Sequence, residues 1–191
     1  MYEVVEDPYC YPGTSVLPNL LDIRDANTLG AFEEEITAQR AAEPLPRGRF
    51  GISHFKAIHH HLFQDVYAWA GRCRTVRIDK SGSMFCYPEN IATELQRLFS
   101  WLKHTNYLRS GNTNDFIERC AYFLSEINAI HAFRDGNGRA QLGYVTMLAA
   151  HAGQPFRLER MEPGRFLNAM IASFHGRQSL LISEIHHLTR P

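Results

Sequence analysis

Excess of any kind is missing from this chain of 191 residues. Twenty Lys and Arg meet twenty Asp and Glu, so neither sign of charge dominates. That excludes a chain-wide polycation, and neither direct nucleic-acid binding nor attraction to a membrane surface is expected. Long apolar runs are missing too: none approaches the roughly 20 residues that a membrane span needs. The opening "MYEVVEDPYCYPG" is acidic and has no continuous apolar core. It does not read as a secretory signal, and a cytoplasmic location is expected. Cysteine is sparse: Cys10, Cys73, Cys86 and Cys120 are far apart, with no CxxC pair. They are expected as reduced thiols. A Cys73–Cys86 bridge across a hairpin is conceivable but runs against that compartment. There is no internal repeat and no low-complexity tract.

What is present is ordinary in bulk. An apolar fraction of 45% and a charged fraction of 21% suit a soluble protein with a proper core. Residues 7–20, "DPYCYPGTSVLPNL", carry three prolines and a glycine and read as an extended arm. From Asp22 to about Ala42 the apolar positions follow helical spacing. A second helix is expected from Ser53, as its cap, through Phe55, Ile58, Leu62, Phe63, Val66, Tyr67 and Ala70 to a stop at Gly71. Alternation in "CRTVRI", turn chemistry in "DKSGS" and the return "MFCY" predict a β-hairpin over 73–87. Such a hairpin must lean on the helices to be stable. Helical spacing resumes after Pro88 and again over 115–130, 139–152, 163–174 and 177–188. The fold class is therefore mainly α, with one β excursion.

The stretch "HAFRDGNGRAQL", 131–142, asks why a helix should break into a loop so rich in chemistry. A plain helix-to-helix turn, a phosphate cradle and a catalytic loop all compete. Gly136 and Gly138 permit φ > 0 and close backbone approach. The next helix starts near Arg139, and its first N–H groups lack intrahelical acceptors, an arrangement that attracts anions. Asn137 between two glycines can turn its backbone and amide to a phosphate, and Arg139 adds a planar fork. Asp135 at the mouth would repel phosphates unless a cation lies between; Mg²⁺ commonly takes one or two carboxylates plus substrate phosphates. A turn or capping role is the plainer reading of that acid. His131 is the side chain best matched to proton transfer near neutrality, which makes it a candidate general base. Phe133 reads as an inward anchor.

This string closely resembles the signature of the Fic family, His-x-Phe-x-(Asp/Glu)-Gly-Asn-Gly-Arg-x-x-Arg. "FLSEINAI", "VYAWAGRCRTVRI" and "DPYCYPGTSVL" are similar to that family as well, so the resemblance runs across most of the chain. It implies a helical bundle with a β-hairpin flap over the active-site loop. Residues 1–191 would form one domain, with an arm over 1–21, the flap over 73–87 and the motif at 131–142. The implied activity is transfer of AMP from ATP to a Tyr, Thr or Ser hydroxyl of a target protein, with release of pyrophosphate. A bacterial toxin or an effector delivered into a host cell is the implied setting. By the same resemblance His131 would take the hydroxyl proton and Asp135 would hold Mg²⁺. Gly136, Asn137 and Gly138 would form the anion hole, and Arg139 would meet the outer phosphates. Met84 and Phe85 on the flap would hold the target in strand pairing. Asn168, on a later helix, would lie near the adenine.

Two positions depart from the signature. Ala132 replaces a proline and carries no chemistry. Leu142 stands where the second arginine meets the γ-phosphate, so ATP should be oriented less well, or a nucleotide held differently should be favoured. Arg134 and Arg72 are the candidates to compensate. A weak or silent nucleotide-binding module, or transfer of another nucleotide, is the alternative reading. Phosphate transfer itself, as in the related Doc branch, ranks low because that branch has Lys in place of Gly138. The family's inhibitory pattern, (Ser/Thr)-x-x-x-Glu-(Gly/Asn), is not found: Glu89 precedes Asn90, but Phe85 stands where the hydroxyl should be. This resembles members restrained by a separate small antitoxin.

Other features have plainer readings. Consecutive helical residues point about 100° apart, so "HHH" at 59–61 does not converge on one metal ion and reads as a solvated or partly packed run. His186 and His187 fall to the same argument. In "GRCRTVRIDK" the basic residues suit either the solvent face of a strand or a rim that attracts phosphates or an acidic target, with Arg72 nearest the motif.

Overall fold

A computed structural model describes residues 8–80, 83–109 and 111–190. Seven α-helices carry the architecture among those residues: α1 (Ala26–Ala42), α2 (Ile52–Phe63), α3 (Ile91–His104), α4 (Thr113–Ile130), α5 (Asn137–His151), α6 (Pro163–Phe174) and α7 (Ser179–Thr189). Helix α4 is the axis. Phe116, Cys120, Phe123, Leu124 and Ile127 are buried along it, and α3, α5, α6 and α7 all pack against it. Its start is fixed by a capping box, in which Asn112 and Asp115 satisfy each other's backbone N–H groups. Helix α2 packs on α1 and α5, which brings the segment before the motif's own helix against the N-terminal third of the chain.

The expected helix from Ser53 to Ala70 is shorter than its apolar pattern. It starts at Ile52 behind Gly51 and ends at Phe63. Val66, Tyr67 and Ala70 are nevertheless buried, held by turns in which Val66 and Tyr67 both donate to the Phe63 carbonyl. Burial of those side chains preserved the apolar spacing although the helix had ended. The arm runs without helix or strand to α1, and its first seven residues lie outside the described ones. Val16 and Leu17 are buried, and Leu20 donates to the Val66 carbonyl.

The hairpin expected over 73–87 is corrected to a two-residue ladder. β1 (Asp79–Lys80) pairs antiparallel with β2 (Ser83–Met84), Asp79 opposite Met84 and Lys80 opposite Ser83. The reason is where the neighbouring donors go. Arg74 N–H bonds the Ala132 carbonyl at 2.9 Å and Cys86 N–H bonds the Ala129 carbonyl at 3.0 Å. One more cross-strand bond, Phe85 N–H to the Ile78 carbonyl at 3.4 Å, follows the ladder, and beyond it the backbone donors turn to the end of α4 and the residues after it. Cys73 and Cys86 are both free thiols, so no bridge crosses this segment. Among the described residues no helix is long and apolar enough to cross a membrane.

Candidate active site

The site grows from the C-terminus of α4. A helix leaves its last carbonyls without intrahelical donors, and here each finds one. His131 N–H takes the Ile127 carbonyl, and His131 Nδ1 lies 3.2 Å from the Asn128 carbonyl. Cys86 N–H takes that of Ala129, and Arg74 Nη2 that of Ile130. His131 itself sits in the left-handed region, φ 47° and ψ 61°, a position that usually falls to glycine. From there the imidazole reaches back to the last turn of α4. A carbonyl only accepts, so the Asn128 contact requires the proton on Nδ1 and leaves the lone pair on Nε2. The Phe85 ring stacks on that imidazole, with centroids 3.8 Å apart and planes 17° from parallel.

The loop that follows is closed by Asn137. Its side-chain oxygen accepts from Phe133 N–H at 2.9 Å and its amide donates to the Phe133 carbonyl at 2.8 Å. Asn137 is buried, so its amide shapes the loop and is not turned outward as the sequence reading supposed. Its main chain opens α5, and the residue lines the cavity. Phe133 is fully buried against Phe55 and His59, the expected anchor. Of the two glycines, only Gly136 uses its freedom. It has φ 74°, and a Cβ there would lie 2.2 Å from the Phe63 ring. Gly138 is helical, with nothing within 4 Å of a Cβ.

Asp135 is exposed at the cavity mouth, and one of its oxygens accepts from Gly136 N–H. Its main-chain carbonyl is held from beneath by His59. Gly71 N–H donates to His59 Nδ1 at 2.9 Å, which puts the His59 proton on Nε2, 2.9 Å from the Asp135 carbonyl. Burial pushes this imidazole down to about 4, so it is neutral at physiological pH. The expected solvated or partly packed run is thus corrected at its first residue: His60 is exposed, but His59 is a fully buried strut. The clue was available, because Phe55, His59 and Phe63 recur every fourth residue on one stripe.

Arg139 lines the cavity, but its fork is already engaged. Nη1 donates to Thr37 Oγ1 at 3.0 Å, Nη2 donates to Glu33, and the guanidinium lies 4.5 Å over the Phe63 ring. The second Glu33 oxygen accepts from the Tyr67 hydroxyl, whose pKa is raised by burial and then by that carboxylate. Nothing in the local sequence marked Glu33, because α1 reaches α5 only in three dimensions.

These elements wall a cavity of about 490 Å³. His131, Asp135, Gly136, Asn137, Gly138 and Arg139 form one side of it. Apolar side chains from the α6 region, Met161, Phe166, Leu167, Met170, Ile171 and Phe174, make up much of the remaining lining. Leu142 faces the same space. Asn168, expected near the base, is exposed and does not line the cavity; the apolar α6 positions on either side of it take that place. Neither Arg72 nor Arg134 lines it. Met84 lies at an adjoining groove with Tyr87, Asn90 and Glu94, while Phe85 borders both spaces. Arg74, expected on a strand's solvent face or a phosphate-attracting rim, is only 2% exposed.

Among the described residues no group of three or more His, Cys, Asp or Glu is placed to hold a metal ion alone. The lone carboxylate of Asp135 beside main-chain anion donors fits a Mg²⁺ that arrives with substrate phosphates and keeps most of its waters. It does not fit a metal caged by protein.

Residues 49–149 match the model of the Fic/DOC family. The probable protein adenylyltransferase y4lH of Sinorhizobium fredii is 47% identical over 188 residues, 98% of each chain. The protein adenylyltransferase VbhT of Bartonella schoenbuchensis is 37% identical over 94% of this chain, which spans 38% of VbhT. Among solved structures, the BepC effector of Bartonella tribocorum with bound AMPPNP superposes with a TM-score of 0.84. It is 26% identical and covers 96% of both chains.

Proposed function

This chain belongs to the Fic/DOC family, and from that premise we propose that it is a protein adenylyltransferase. It moves AMP from ATP to a Tyr, Thr or Ser hydroxyl of a target protein and releases pyrophosphate. One observation carries the reading: an imidazole with its proton tied to the Asn128 carbonyl stands at the same cavity as the Gly136–Arg139 helix start. Residues 1–191 are read as one domain, since a continuous core runs from Val16 to Leu188.

The steps follow from the chemistry of the groups. His131 Nε2 accepts the proton of the target hydroxyl. The hydroxyl oxygen bonds to the α-phosphorus, and the bond from that phosphorus to pyrophosphate breaks. Charge grows on the non-bridging oxygens as this happens. The main-chain N–H groups of Asn137 and Gly138 offer fixed donors to them, and that of Gly136 joins them once it leaves the Asp135 carboxylate. The apolar wall around Phe166 and Met170 takes the base, and Arg139 serves the outer phosphates once released from Glu33. Asp135 would hold Mg²⁺, whose contribution when bound is to neutralise charge on the phosphate oxygens. The exposed Met84 and the short β2 edge, beside Phe85 and His131, support docking of an extended target segment. A separate small antitoxin that supplies an inhibitory helix fits the missing internal motif. The description of BepC as a VirB-translocated Bartonella effector supports a bacterial toxin or effector setting, and action in the cytoplasm of the producing or the recipient cell goes with that reading.

A second reading, a nucleotide-binding module with little or no transfer, is favoured by two facts. Leu142 offers no charge to the triphosphate, and Arg139 is docked on α1. Incubation with labelled ATP and a lysate, followed by mass measurement of modified proteins, separates the two. An adduct of AMP that disappears with His131→Ala while nucleotide binding persists supports transfer. Tight nucleotide binding with no adduct in any lysate establishes the silent module.

A further inference from the structure

Arg74 is 2% exposed, and its side-chain hydrogen bonds go to main-chain carbonyls. Nε donates to the His131 carbonyl at 2.8 Å and Nη1 to that of Val76 at 2.6 Å. Nη2 is shared between the carbonyls of Cys86 and Ile130. A buried charge is expensive unless it is well solvated by the protein. Here the compensation comes from aligned carbonyl dipoles, two of them at the negative end of α4.

Those carbonyls belong to three separate segments, two of which contribute to the site. His131 is the left-handed residue whose ring is the candidate base. Cys86 follows Phe85, which covers that ring. Val76 leads into β1. The main chain repeats the connection, with Arg74 N–H on the Ala132 carbonyl and Cys86 N–H on that of Ala129. Both the backbone that aims the imidazole and the aromatic ring stacked on it are therefore referred to one guanidinium. Its planar geometry matters: lysine offers the same charge and three donors from one compact point, and lacks the wide fixed fork that meets four carbonyls at once.

We propose that Arg74 is a positioning residue that locks the base of the flap to the His131 turn, so that the imidazole is held under Phe85 in one orientation. The proposal rests on the adenylyltransferase reading for its consequence on rate. Its structural content stands without it.

The test uses Arg74→Lys in the full chain. In the wild-type protein the His131 ring protons resonate upfield of ordinary histidine positions, because Phe85 lies over them. Phe85→Ala, which removes the ring, identifies that shift. In Arg74→Lys the shift collapses, ATP affinity stays within about twofold, and kcat per folded molecule drops about a hundredfold, the lower end of what a general base supplies. A folded Arg74→Lys that keeps the ring shift overturns the proposal, as does one whose rate loss merely follows its folded fraction. A wild-type protein with the ring shift but no transfer refutes the enzymatic reading alone. Should Arg74→Lys not fold, hydrogen exchange in the wild-type protein decides. Protection of the Arg74 and Cys86 amides equal to that of α4 supports the lock; exchange as fast as that of Met84 overturns it.

Discussion

His59 and Asp135 are joined across 76 residues of chain by one hydrogen bond, from His59 Nε2 to the Asp135 carbonyl at 2.9 Å. The carboxylate proposed to meet the metal is thus aimed by a neutral histidine beneath the loop. Both ring nitrogens of His59 are committed, one as acceptor and one as donor.

That commitment makes stability depend on pH. Burial lowers His59 to about 4 from an ordinary 6.5, so between those values the unfolded chain binds the proton and the folded one resists it. Stability from this group is full above 6.5, declines as pH falls and levels off below about 4. The size is about 3 kcal/mol, from roughly 1.4 kcal/mol per pH unit. Urea unfolding at pH 7 and pH 4.5 should show the decline in the wild-type protein and a clearly smaller one in His59→Phe. Equal declines would mean that other groups set the acid sensitivity.

The two motif glycines should separate fold from site. Gly136→Ala meets the Phe63 ring and must hold φ 74°, so it should destabilise by about 2–4 kcal/mol. Gly138→Ala has open space and gains helix propensity, so stability should hold or rise by up to about 1 kcal/mol. Its ATP affinity should nonetheless fall, because on the proposed reading the methyl would stand where phosphate oxygens approach the main chain. Thermal melts beside nucleotide titrations decide it; unchanged affinity in Gly138→Ala would remove that residue from the phosphate site.

Arg139 is withheld by α1 in this state, with Nη1 on Thr37 and Nη2 on Glu33. Glu33→Gln removes the charge that holds it. Triphosphate affinity should rise several-fold, while stability falls by less than about 1 kcal/mol, since the Arg139 side chain is 40% exposed and the pair is screened. Calorimetric titration of ATP against both proteins is the measurement. A lower affinity would show that Glu33 presents Arg139 to the phosphates and does not restrain it.

Leu142 faces the cavity from α5. Leu142→Arg supplies a fork there, and ATP-dependent transfer should increase. Rates that stay level or drop would mean that the missing arginine is not what limits this site.

The motif loop was legible because its chemistry is local. A histidine, an acid, two glycines and an arginine within nine residues at a helix junction point to an anion site, and neighbours in sequence remain neighbours in space. The helices were legible because apolar side chains every third or fourth residue need a buried face. Periodicity failed where burial outlasted the helix, at Val66, Tyr67 and Ala70, and where strand-like alternation over 73–78 belonged to a segment bonded to a helix end.

By itself, then, the sequence determined that this chain is mainly helical and that residues 131–139 can surround phosphate. Only the tertiary structure decided which residues aim that chemistry: Arg74 on the His131 carbonyl, 57 positions away, His59 under Asp135, and Glu33 on Arg139, 106 positions away. The reason is physical. Local patterns record which face of a segment leaves water, whereas the partner of a buried polar group is chosen by how helices distant in sequence come to pack.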